Sequence, residues 1–296
     1  DRSDRNPGHV QMGMGQHLRT IENSMRIVAS FPELRNTPIV IGESDPDGCA
    51  ACRAIEYPQY GYRNKSQFAA YTAASFARKY ELAERNGVHL EGALTWSFTF
   101  EDQPLFAGLR ALATGGIDKP VLNIFRMFAK MGGRRLAVRS THGYTVDEIM
   151  GPGRKNRRSG SRLPDVTGQP DVHALASRVD DQLTILVWHY HADDVPGKDA
   201  SIALTIEDLP RNHGTARLEH FRIDDTHSNA FTIWQQMGSP QSPTPAQFAE
   251  LEQAGKLAQF ESARSIVLED NQSTICFQLP RQGVSFFVLQ LQSPAP

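Results

Sequence analysis

Cysteine is scarce in this 296-residue chain. There are three, an odd number and too few for a disulfide scaffold, so the sulfurs read as reduced and the cytoplasm is the favoured compartment. Long apolar runs are missing as well. None approaches the roughly 18–20 residues that a membrane-crossing helix needs, and the start of the chain is polar and glycine-rich, unlike a secretory leader. An excess of one charge is also missing: 31 Lys and Arg against 33 Asp and Glu leave a formal net charge of −2, which gives nucleic acid or an anionic membrane nothing to bind. No internal repeat is visible. The 40% hydrophobic and 22% charged residues that remain are ordinary for a soluble globular chain, long enough for one large domain or two smaller ones.

The chain is organised around Pro38-Ile39-Val40-Ile41-Gly42-Glu43-Ser44-Asp45-Pro46-Asp47-Gly48. A run of branched residues closed by turn formers predicts a short buried parallel strand at Ile39–Ile41. Before it, Leu18, Ile21, Met25 and Val28 recur at helical spacing from Gln16 to Phe31. After it comes a long loop to about Lys65, of a length that usually carries function. Ser66 to Asn86 then predicts a helix closed by Gly87, Leu90 to Phe100 a second strand, and Pro120 to Met131 a further helix. Helices and strands joined this way indicate βα units around a parallel sheet. From Arg134 the pattern changes to short alternating runs at the spacing of an antiparallel sandwich, interrupted by one helical segment, Pro245 to Leu257. The expected organisation is therefore 1–133 as βα units and 134–296 as a β-sandwich. Two parallel strands cannot close a barrel, so the chain is expected to be the carboxyl-terminal part of something longer.

In α/β folds chemistry sits where parallel strands end. Glu43 stands at such an end and reads either as a catalytic carboxylate or as an acid that caps the strand or pairs with an Arg. The second strand runs through Trp96, Phe98 and Phe100 into Glu101 and Asp102. Aromatic faces beside acids suit a sugar, whose CH face stacks while its hydroxyls donate to oxygens. The alternative is a buried Trp layer followed by exposed acids. Tyr60 and Tyr62 of the long loop are further candidates for the same pocket.

Several blocks in order resemble glycoside hydrolase family 39, the retaining β-xylosidases and their relative α-L-iduronidase, with the bacterial β-xylosidases the nearest likeness. They are Thr37 to Ser44, Tyr71 to Arg78, Gly92 to Asp102, Lys119 to Phe128, Arg222 to Phe231 and Trp234 to Pro240. The resemblance implies a (β/α)8 TIM barrel, represented here by its last βα units, followed by an antiparallel β-sandwich. It implies release of terminal xylose from xylo-oligosaccharides by double displacement, with no metal and no organic cofactor. By the same resemblance Glu43 matches the nucleophile, Trp96 the tryptophan of the sugar subsite, and Glu101 and Asp102 the paired acids that hold sugar hydroxyls, where the usual pair is Glu-Glu; Phe100 joins them as a substrate contact. The family's general acid/base lies in an Asn-Glu-Pro motif, and no Asn-Glu-Pro occurs in this sequence. The alternative to an enzyme is therefore an inactive fragment that acts as a carbohydrate-binding or interaction module. Pairing with an N-terminal part, or homo-oligomerisation, would cover the apolar strand faces.

Other groupings weigh less. Cys49-Ala50-Ala51-Cys52 has redox or metal spacing but reads as a structural loop feature. His189 and His191, with Asp193 and Asp194 beyond, read as a polar strand face, Arg154-Lys155-Asn156-Arg157-Arg158 as a solvated loop, and His227-Ser228-Asn229 as a turn.

Overall fold

The computed structural model describes residues 12–151, 165–210 and 214–292. The basic run from Arg154 to Arg158 lies outside the described residues. Helix α1 (Met14–Ala29) opens the fold and buries Leu18, Ile21 and Met25 at the expected helical spacing. Strand β1 (Ile39–Ile41) follows a short turn of 3-10 helix, and the long loop after it closes in a second one, Pro58–Asn64. Helix α2 (Ser66–Asn86) has the expected bounds and stops where Gly87, at φ 60°, takes the left-handed conformation that suits glycine. Strand β2 (Leu90–Ala93) pairs parallel with β1, with Ile39 opposite Leu90 and Ile41 opposite Ala93. A small hairpin, β3 (Ala113–Thr114) and β4 (Ile117–Asp118), leads into α3 (Pro120–Phe128), which has Pro in its first turn.

The alternating runs beyond Gly133 are strands: β5 (Arg134–Leu136), β6 (Asp171–Val179), β7 (Gln182–Tyr190), β8 (Ala200–Ile206), β9 (Thr215–Ile223), β10 (Ala258–Val267), β11 (Ser273–Leu279) and β12 (Val284–Gln292). Three helices lie among them, α4 (Val146–Met150), α5 (Ala230–Gln236) and α6 (Pro245–Gly255). Six of the strands form one antiparallel sheet in the order β10-β9-β12-β7-β6-β5, and β11 and β8 form a separate two-stranded ribbon. Strand β7 explains the layering. Its Leu183, Ile185 and Val187 face the ribbon, packing with Ile206, Ile275 and Leu279. Its alternate residues Leu186, Trp188 and Tyr190 share a core with Phe68, Tyr71 and Ala74 of α2. The two-residue period sends successive side chains to opposite faces, and both faces are covered, which accounts for the near-continuous apolar run in β7. The larger core draws on residues from both sides of Gly133.

Three expectations need correction. The strand Ile39–Ile41 is parallel as expected but not buried, because β2 is its sole strand neighbour among the described residues and Val40 is 55% exposed. The strand read from Leu90 to Phe100 ends at Ala93. Beyond Leu94, whose N–H donates to Ile41 at 2.9 Å, the chain turns away to meet other groups: Trp96 donates to the Asp45 carboxylate at 2.7 Å, and Phe98 to the Arg110 carbonyl at 3.1 Å. The alternation of aromatics therefore belongs to a segment outside the sheet. The cysteines are also not all reduced, because Cys49 and Cys52 form a disulfide, while Cys276 is free. Their three-residue separation folds into a turn that Asp47 and Arg63 hold by hydrogen bonds.

Candidate active site

Glu43 is exposed at the exit of β1, as the sequence predicts for the end of a parallel strand. It lines a cavity of about 320 Å³ between α1 and β1, shared with His17, Thr20 and Ser24. No other acidic residue among the described residues lines that cavity. His17 approaches Ser44, its Nε2 lying 3.4 Å from the hydroxyl.

Burial, and after it the charge of Lys79, pushes the His17 pKa down to about 3 from 6.5. The native state thus holds His17 neutral over a range in which the unfolded chain protonates it. The unfolded state binds more protons there, and stability falls as the pH drops from 6.5 towards 3. His220, also pushed down to about 3 mainly by burial, adds to the same window. His17→Gln is expected to remove about 2 kcal/mol of the acid loss between about pH 6.5 and pH 5. Urea unfolding at the two pH values measures it; an unchanged difference between them would count against a buried neutral His17.

Trp96, Phe98 and Phe100 form a row of rings, Trp96 to Phe98 at 4.9 Å between centroids and Phe98 to Phe100 at 5.9 Å. Trp96 and Phe98 remain 42% and 40% exposed, so the row is an open platform and not a buried layer. Phe98, Phe100, Glu101 and Asp102 line a cavity of about 650 Å³, together with the buried Lys119. Burial, with the Arg63 charge second, brings the Lys119 pKa down to about 7, while its amine donates to the Leu109 carbonyl at 2.9 Å. Both acids are exposed, and Asp102 sits at φ 52°. Glu43 and the Glu101/Asp102 pair therefore open into different cavities.

Under the two strand exits lies a set of ions centred on Asp45 and Asp47, which the sequence reading placed in a turn, and on Arg63 and Arg110, which it did not single out. Asp45 accepts from the Thr95 hydroxyl at 2.5 Å, from the Trp96 N–H at 2.7 Å and from Arg110 at 3.1 Å. Arg110 also donates to the Asp47 carboxylate at 3.0 Å. Asp47 accepts from Arg63 at 2.6 Å and from the Tyr62 hydroxyl. Arg63 donates as well to the carbonyls of Cys49, Cys52 and Gly108. The close approach at Gly108, φ 79°, leaves no room for a Cβ, which would run into Ala54. Tyr62 is buried, and its pKa is raised by that burial first and by Asp47 second; Tyr60 lies under the Arg63 guanidinium at 4.2 Å. Both tyrosines are thus packed into this support. The only sequence signal for the set is acids and arginines close to apolar and aromatic neighbours, as in Tyr60-Gly61-Tyr62-Arg63.

The remaining groupings are structural. The His189 ring nitrogen Nδ1 meets the Leu279 carbonyl, and His191 meets Gly168 and Asp193. No group of three or more side chains suited to a metal ion exists among the described residues. His227, Ser228 and Asn229 turn the chain into α5, whose first N–H groups donate to the Asn229 side chain.

The family model of glycosyl hydrolases family 39 matches residues 9–269. Three solved structures share the fold. A GH39 enzyme from Xanthomonas axonopodis pv. citri superposes with a TM-score of 0.65 at 17% identity over 93% of this chain and 48% of its own. A monomeric β-xylosidase from Caulobacter crescentus gives 0.63 at 16% identity over 92% and 50%. A bacterial orthologue of human α-L-iduronidase gives 0.69 at 16% identity over 94% and 46%. The chain thus spans about half the length of these structures. Among curated protein sequences none matches it.

Proposed function

Since this chain belongs to glycosyl hydrolases family 39, we propose that it carries the nucleophile half of a retaining, β-xylosidase-like glycosidase that releases terminal xylose from xylo-oligosaccharides. The observation that carries the reading is the exposed Glu43 at the exit of β1, beside a parallel neighbour whose own exit bears an aromatic row and two acids. In this proposal β1 and β2 are the last strands of a (β/α)8 barrel, residues 1–133 are its end and 134–296 are the β-sandwich. Glu43 attacks the anomeric carbon and forms a glycosyl-enzyme, which water then hydrolyses. Trp96 and Phe100 stack on the sugar face, and Glu101 and Asp102 accept from its hydroxyls. A retaining pair needs a second carboxyl group about 5–5.5 Å from the first, to protonate the leaving oxygen. No other acid lines the Glu43 cavity among the described residues, and in this proposal another segment of the barrel supplies that carboxyl.

A reagent that needs no acid tests the assignment. Dinitrophenolate leaves a glycoside without being protonated, and fluorine on the carbon next to the anomeric centre slows hydrolysis of the adduct. A dinitrophenyl fluoroxyloside is expected to add one fluoroxylosyl unit to the peptide that contains Glu43, read by mass spectrometry, and to leave Glu43→Gln unmodified. An adduct on another residue, or none, would refute Glu43 as nucleophile.

A second reading, a binding or interaction module, draws on a different observation. Ile27, Phe31, Leu34, Val40 and Leu94 are all exposed large apolar residues around α1 and β1. Retention on a xylo-oligosaccharide resin without any adduct would favour the module.

A further inference from the structure

Glu43 lies between two fixed points. The last ladder bond between the strands runs from the Leu94 N–H to the Ile41 carbonyl, two residues before it. Two residues after it, the Asp45 carboxylate takes three hydrogen bonds from the β2 exit and Arg110, with its side chain only 2% exposed. Strand β1 is three residues long, so no backbone ladder continues past Ile41 to hold the exits together. Pro46 also biases Asp45 towards an extended backbone, which limits the ways the loop can leave this anchor.

We propose that Asp45 is the positioning residue of this site. It fixes the backbone on the far side of Glu43 and, through the same carboxylate, fixes the N–H of Trp96, so that nucleophile and sugar platform keep one relative geometry. The inference rests on the reading of Glu43 as nucleophile. Arg110 neutralises the buried charge of Asp45 while it also holds Asp47. Thr95 completes the clamp and lies 3.2 Å from Ser97, so the segment carrying the aromatic row is anchored at its root. Losing the clamp moves the next strong anchor after Glu43 from Asp45 out to Asp47 and frees the Trp96 N–H, and misplacement of a reacting group by about 1 Å costs about 100-fold in rate.

The experiment uses Asp45→Asn, which keeps the shape, removes the charge that faces Arg110 and turns one of the two accepting oxygens into an N–H donor, set against either Thr95 or the Trp96 N–H and Arg110. Arg110 retains Asp47, so the fold is expected to survive. With the dinitrophenyl fluoroxyloside, the maximal labelling rate of Glu43 should fall about 100-fold, while the half-saturating concentration changes by less than about threefold. Tryptophan emission supplies a readout independent of the glycosidase assignment. Asp45→Asn should shift the emission of the chain, and the shift should vanish when both proteins also carry Trp96→Phe. A labelling rate within about threefold of the parent would overturn the proposal, as would a parallel loss of rate, affinity and melting temperature. If the parent chain takes no label, the nucleophile reading fails, and the emission result alone decides whether Asp45 holds Trp96; an unshifted emission then overturns the clamp.

Discussion

Arg78→Met is expected to cost about 3–5 kcal/mol of stability, the penalty for stranding one member of a buried ion pair. Arg78 of α2 and Asp171 of β6 are both fully buried and meet at 2.9 Å. Arg78 also donates to the Tyr144 carbonyl at 2.9 Å, and its guanidinium lies 5.0 Å from the centre of the Trp188 ring. Asp171 accepts in addition from the Tyr144 N–H at 2.8 Å and from the Trp188 indole N–H at 2.7 Å. Removing the arginine leaves the carboxylate with those two neutral donors and no counter-charge. Urea unfolding followed by Trp188 emission measures the loss. The double variant with Asp171→Asn should recover part of it, because the stranded charge has gone too. A loss below about 1 kcal/mol would show that the pair is not needed. The pair joins a helix before Gly133 to a strand after it, so its loss should lower cooperativity between the two parts as well as the midpoint.

Such a pair could not be read from the sequence, whereas the elements it joins could. The bounds of α2 follow from its long apolar periodicity and from Gly87, both local signals. The alternation in β7 is equally local and places Leu183 and Leu186 on opposite faces before any partner is known. The same rule misled at Trp96, Phe98 and Phe100, because a segment can alternate whether or not it pairs. At the site, Glu43 was legible as an acid ending an apolar run. Asp45 and Asp47 were not, since Asp-Pro-Asp-Gly is turn chemistry and their partners lie far along the chain, Arg63 16 residues from Asp47 and Arg110 65 from Asp45. Burial of an arginine is decided by those distant carboxylates and carbonyls, and composition carries no trace of it. The family resemblance added the roles proposed for Glu43, Trp96, Glu101 and Asp102, but it did not indicate that the first and the last two face different cavities.

That separation sets the second large expectation. If the chain carries only the nucleophile, as proposed, supplying an acid carboxyl should raise the rate on a xyloside with a poor leaving group by about 10²–10⁴-fold, the usual contribution of a positioned general acid. On the proposed reading, Glu43 without an acid can displace dinitrophenolate, which is stable as an anion, but not an alkoxide, which must take a proton as the bond breaks. The isolated chain should therefore show a steep dependence of rate on leaving-group acidity across a series of aryl xylosides. Co-expression with the first half of a family 39 barrel, bearing its Asn-Glu-Pro segment, should flatten that dependence. Formation of the glycosyl-enzyme from the dinitrophenyl xyloside, read as kcat/KM, should change little, because that departure needs no acid, whereas its hydrolysis by water gains the same carboxyl as base; Glu43→Gln should abolish reaction of every member. The added half also has a surface to cover, the exposed Ile27, Phe31, Val40 and Leu94 beside the two-stranded parallel sheet. A shallow dependence in the isolated chain would mean that an acid already acts there. Equal acceleration of good and poor leaving groups by the added half would mean instead that it contributes positioning of the sugar and not a proton, since only proton transfer discriminates between them.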